Sequence, residues 1–157
     1  MRLYFLRHGP AVSRTGWDRP DEERPLTDEG RAVVAASARL LVRVAVTADA
    51  IVTSPLVRAR QTAEIAAAEL DAGAPVDDDR LARGFDRKHL AAILADHRGA
   101  QALVLVGHEP DFSRTIRELT GGAVVCKKGG IARVDIDDET VRGELVWLLP
   151  PRISALA

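Results

Sequence analysis

The chain has one cysteine, no long uninterrupted apolar run and almost no net charge. A lone Cys126 cannot close an internal disulfide and gives no basis for a cysteine metal cluster. Its ordinary role is that of a small buried apolar residue. A formal charge of −1 supplies no global field to attract nucleic acid or an anionic membrane. The most apolar stretch, VVAASARLLVRVAV, is interrupted by Arg39 and Arg43 and is too short to span a bilayer. Near the start, LYFL is too short for a secretion signal and has no small-residue cleavage site behind it. These absences lead us to expect a cytoplasmic protein that engages neither nucleic acid nor membrane. Any electrostatic function must come from locally arranged charges.

What is present fits one globular domain over 1–157. At 157 residues the chain can bury a sizeable core, and it shows no repeat, linker or low-complexity tract. Short β-branched runs alternate with helical patterns. RLYFL (2–6), DAIVTS (49–54) and ALVLVG (102–107) read as buried strands. The last has the continuous hydrophobicity of a central parallel strand. Thr27 is positioned to cap a helix on which Val33, Ala36, Leu40 and Val44 share a face. Ser54-Pro55 reads as the cap and first residue of a second helix. The stretches 12–25 and 77–88 read as polar loops, the second leading into a helix over about 86–97. PDFSRTIRELTGG reads as a short helix stopped by glycine, and the end as two strands around an Asp-Asp-Glu turn. The pattern predicts a three-layer α/β/α sandwich with a mostly parallel central sheet and an antiparallel C-terminal edge hairpin.

The chemistry collects at the strand exits. The first strand ends in Arg7-His8-Gly9, the second in Ser54 with Arg58 just beyond, and the third in Gly107-His108-Glu109. Carboxyl ends of parallel strands share one edge, where ligands of open α/β sheets bind. Taken singly, each residue has an ordinary explanation, as a strand end, a surface charge or a cap. Together they offer two guanidiniums, two imidazoles and a helix N-terminus, a set suited to a phosphoryl dianion. Gly9 would let backbone approach that anion. Positive neighbours disfavour an imidazolium, so His8 is expected to be neutral near pH 7 and nucleophilic. It would take the phosphoryl group and pass it to water. Arg7, Arg58 and His108 would stabilise the transition-state charge. His89 and His97 read as surface residues.

Taken in order, LRHG, PLTDEG, SPLVRARQTA and VGHEP resemble the signature of the histidine phosphatase superfamily, which includes the phosphoglycerate mutase-like enzymes. The short length and the tail KKGGIARVDID…GELVWLLPPR look most like the SixA-type phosphohistidine phosphatases. The resemblance implies a phosphorylated His8 and a phosphate pocket of Arg7, Arg58 and His108, with no metal or cofactor. It also implies a phosphorylated protein, or a small phosphorylated molecule, as substrate. In one respect the sequence departs from the pattern. Where larger relatives carry a glutamate proton donor, this chain has Ala82 and Arg83; Asp86 and Glu109 are the remaining candidates. That loss, with no long insertion to form a lid, favours phosphohistidine on a protein over an ester of an unactivated alcohol. The alternatives are a small-molecule phosphomonoesterase using Asp86 or Glu109 as acid, and a non-catalytic phosphate- or phosphoprotein-binding module. A mutase would need a more closed pocket. A metal hydrolase using His8, His108 and Glu109 would set a cation beside two arginines.

Overall fold

The computed structural model describes residues 1–137 and 142–154. Strands β1 (Arg2–Arg7), β2 (Ala50–Thr53), β3 (Val76–Asp77), β4 (Ala102–Gly107), β5 (Ile131–Asp137) and β6 (Arg142–Leu149) form one sheet, ordered β3-β2-β4-β1-β5-β6. The first four in that order run parallel, while β5 pairs antiparallel with both β1 and β6. Helices α1 (Asp28–Arg43), α2 (Val57–Leu70), α3 (Arg87–Asp96), α4 (Asp111–Thr120) and the short α5 (Pro151–Ser154), with 3₁₀ turns at Asp21–Glu23 and Asp79–Leu81, complete the described elements.

Period-2 alternation in β1 and β4 sends side chains into two separate cores. Leu3, Phe5, Leu103 and Leu105 join Leu90 and Ile93 of α3 and Phe112 and Ile116 of α4. Tyr4, Leu6, Val104 and Val106 join Ala38 and Leu41 of α1 and the alanines of α2, Ala59, Ala63 and Ala66. Because both faces of these strands are buried, their sequences read as unbroken apolar runs. The expected three-layer sandwich with its antiparallel C-terminal edge is what forms.

Several local expectations are corrected. In α1 the buried line is Val34, Ser37, Ala38 and Leu41, not Val33, Ala36, Leu40 and Val44. Ser37 faces inward because its hydroxyl donates to the Gly129 carbonyl (2.8 Å), and a polar residue there hides the true face from a hydrophobic count. Thr27 does cap α1, accepting from Gly30 N–H at 2.9 Å. Ser54 does not cap α2. The chain bends at Pro55 and Leu56, α2 begins at Val57 without a side-chain cap, and the Ser54 hydroxyl meets Leu56 N–H and His108 instead. The 77–88 loop contains the end of a two-residue edge strand, β3. The turn expected between the last two strands falls mainly on residues outside those described.

Candidate active site

Strand order makes neighbours of segments distant in sequence. Arg7 pairs with Gly107 at the ends of β1 and β4, and His8 N–H donates to the Gly107 carbonyl at 3.1 Å. Ser54 N–H donates to Val106 O at 2.9 Å, bringing the exit of β2 alongside. A cavity of about 400 Å³ opens over these exits, and Arg7, His8, Arg58 and His108 all line it. The His8 and His108 rings stand 5.1 Å apart, centroid to centroid.

His8 is 7% exposed and its Nδ1 lies 2.7 Å from the Gly9 carbonyl. A carbonyl can only accept, so Nδ1 carries the proton and the neutral ring's lone pair is on Nε2. Burial first, then the charges of Arg58 and Arg7, lower its pKa to about 4, against the raising effect of the Gly9 bond. His108 is 8% exposed, with its pKa lowered to about 3 by burial and then by His8 and the arginines. Its Nε2 lies 2.8 Å from the Ser54 hydroxyl, which also accepts from Leu56 N–H at 3.4 Å. If that hydroxyl donates to Nε2, the proton of His108 sits on Nδ1.

The two arginines are held in parallel ways. Arg7 donates from NH1 to Cys126 O at 2.8 Å. Arg58 donates from NH1 to the backbone O of Asp21 at 2.8 Å and from NH2 to its Oδ2 at 3.2 Å. In both, Nε is buried with no hydrogen-bond partner. A buried guanidinium donor left unmatched is costly unless an anion meets it. Both guanidiniums line the cavity with His8, and their charges act on its imidazole.

The cavity also has a rim that sequence reasoning did not identify. Asp21, in a 3₁₀ turn at Asp21–Glu23, accepts from Arg24 (2.7 Å), Arg83 (3.0 Å) and Arg58, with Arg14 at 3.7 Å. Hydrogen bonding to Arg24 first, then the charges of Arg58 and Arg24, hold its carboxyl at about 2. Lys128 completes the cations lining the cavity. The DEE stretch carries no local sign of this role, since a run of acids reads as a solvated turn. The surplus of arginine in neighbouring loops was the signal available.

Two expected site residues, Gly9 and Asp86, lie outside the cavity, and a third, Glu109, is engaged within it. Gly9 does not line the cavity; its N–H donates to Thr62 Oγ1 (3.2 Å), and a Cβ there would lie 2.6 Å from Val34 Cγ2. Its missing side chain serves contact with α1 rather than approach to an anion. Asp86 is also outside the cavity and caps α3, accepting from Lys88 N–H and His89 N–H, both at 2.9 Å. The His89 bond is the largest of the effects lowering its pKa, so it is ionised, not a proton donor. Glu109 does line the cavity, but both oxygens are engaged, one by the Ser113 hydroxyl and one by Cys126 N–H. His89 and His97 lie outside the cavity. Among the described residues no group of three or more His, Cys, Asp or Glu could hold a metal ion, and no helix is long and apolar enough to cross a membrane.

Known proteins with the same architecture align with this frame. The profile of the histidine phosphatase superfamily (branch 1) matches residues 3–84. An uncharacterized protein of Picosynechococcus sp. is 40% identical over 137 residues, covering 83% of this chain and 82% of that one. The protein histidine phosphatase SixA, solved in complex with tungstate, is similar with a TM-score of 0.88 at 25% identity, covering 98% of this chain and 99% of that one. The alpha-ribazole phosphatase of Shigella flexneri shares the fold, with a TM-score of 0.77 at 18% identity, covering 96% of this chain and 97% of that one.

Proposed function

The chain belongs to branch 1 of the histidine phosphatase superfamily, and from that premise we propose that it hydrolyses protein phosphohistidine through a covalent intermediate on His8. The whole chain acts as a single phosphatase domain. The observation that carries this reading is the pair of guanidiniums, Arg7 and Arg58, lining one cavity with an imidazole whose Nδ1 is already committed.

In the first step the Nε2 lone pair of His8 forms a bond to phosphorus, and the bond to the leaving nitrogen breaks. Arg7 and Arg58 meet the phosphoryl oxygens from the cavity wall, and His108 adds a neutral N–H. In the second step water attacks the phosphorus of phospho-His8, the N–P bond breaks and the electron pair returns to Nε2. The Gly9 bond holds the ring in the required tautomer throughout.

What the cavity does not present supports this substrate class. Asp21, Glu109 and Asp111 are its carboxylates, and each is tied: Asp21 to arginines, Glu109 as above, Asp111 to Gly84 N–H (2.8 Å) and Arg114 (2.9 Å). None is positioned to hand a proton to an alkoxide. General acid catalysis is worth roughly 10²–10⁴-fold, a loss most damaging for unactivated esters. A P–N bond is more labile, and solvent can protonate its nitrogen. The SixA relative is a protein histidine phosphatase solved with tungstate, a tetrahedral oxyanion like phosphate, which supports the same reading.

Turnover of a phosphohistidine-bearing protein is compared with that of simple sugar phosphates. We expect kcat/KM to favour the protein clearly. A preference for the sugars would assign the site to small-molecule phosphomonoesters, and inertness towards a chromogenic phosphate ester as well would leave a binding module.

A further inference from the structure

We propose that the same site also cleaves phosphoanhydrides, removing the terminal phosphoryl group of a linear polyphosphate while Arg83 holds the phosphate that departs. This rests on the phospho-His8 reading and extends it to a second substrate class.

The charge lining the cavity is larger than one phosphoryl group needs. Six cationic side chains face three carboxylates. A single phosphoryl dianion joined to a neutral imidazole leaves part of that surplus unmatched, whereas a polyphosphate chain brings further negative charge in the adjacent position.

Arg83 lines the cavity on the side of Asp21. A guanidinium is never neutral at physiological pH and cannot act as an acid, but its forked N–H donors match phosphate oxygens. It therefore favours leaving groups that depart as oxyanions. An alkoxide needs a proton; a phosphate does not.

The spacing agrees. Asp21 Oδ2 accepts from Arg58 NH2 at 3.2 Å and from Arg83 NH2 at 3.0 Å. Two guanidiniums that share one oxygen are close enough to hold neighbouring phosphoryl groups, which themselves share one bridging oxygen. Although its side chain is 64% exposed, Arg83 springs from an anchored turn. Gly84 adopts φ +84°, a conformation that favours glycine, and its N–H is bound to Asp111, which is 6% exposed at the start of α4.

The chemistry balances without a co-reactant. The His8 Nε2 lone pair bonds to the terminal phosphorus, and the bond from that phosphorus to the bridging oxygen breaks. The electron pair stays on the oxygen of the shortened chain, which leaves against Arg83. Water then attacks phospho-His8, Nε2 recovers its lone pair, one proton passes to solvent and orthophosphate is released.

Wild type and Arg83→Gln proteins are assayed for orthophosphate release from tripolyphosphate and from phosphoimidazole. We expect wild type to hydrolyse both. Arg83→Gln should lower kcat/KM for tripolyphosphate about tenfold more than for phosphoimidazole, the effect of one charge-assisted contact. Turnover of phosphoimidazole with none of tripolyphosphate overturns this proposal alone, as does an equal loss on both substrates in the variant. Failure to turn over either substrate brings down the phosphatase reading and this proposal with it.

Discussion

The floor of the cavity and its rim are built on different principles. Arg7, His8 and His108 sit at the ends of parallel strands, and Arg58 in the first turn of a helix packed on them. Their placement follows from backbone pairing, and Arg58 is only 5% exposed. The rim is assembled from loop side chains around Asp21, and Arg14 there is 73% exposed. The floor is anchored by the backbone pairing of the sheet. The rim is held by charge pairs, individually weak where water reaches them. We assign the reaction to the floor and the choice of leaving group to the rim.

Substitutions can break or sharpen that division. Arg58→Ala removes a floor donor, and kcat should fall by roughly 10²–10³-fold with the fold intact. A loss below tenfold in steady-state assays would move Arg58 out of the pocket's machinery. Asp21→Ala removes one of the two acceptors that hold Arg58 and leaves the other, its own backbone carbonyl. We therefore expect a smaller loss in kcat/KM, about tenfold, with Asp21→Asn recovering part of it. If both variants match Arg58→Ala, floor and rim are not separable.

Acid should test the floor through stability. Both histidines have folded pKa values below the ordinary 6.5, near 4 for His8 and 3 for His108. Between those values and 6.5 the unfolded chain binds more protons, so stability falls as pH drops through that window. A decline of a few kcal/mol in denaturant titrations is expected, with His108→Asn flattening it. The smallest effect belongs to Asp86→Ala. Loss of the α3 cap should cost about 1 kcal/mol of stability and leave kcat unchanged. A large fall in kcat would restore Asp86 as the proton donor.

The same division marks how far sequence carries. Apolar runs ending in Arg-His-Gly and Gly-His-Glu point to the floor because strand exits are readable from hydrophobicity and lie on one edge. The sheet's architecture was legible for the same reason. β3 was not, since two residues with Val76 half exposed leave no periodic signal. The roles of Ser54 and Ser37 are settled by partners 54 and 92 residues away, beyond any local pattern. Asp21 was missed likewise, because its partners Arg58 and Arg83 come from other segments. Gly9 was recognised as special for the wrong reason: packing on α1 was invisible before the helix was placed.

The most direct test is rapid quenching of the enzyme with ³²P-labelled phosphoimidazole, followed by mapping of the label. The account predicts an acid-labile, alkali-stable phosphoryl group on Nε2 of His8, formed and lost at rates compatible with turnover and absent from His8→Ala. Turnover by His8→Ala, or label on any other residue at those rates, would contradict it.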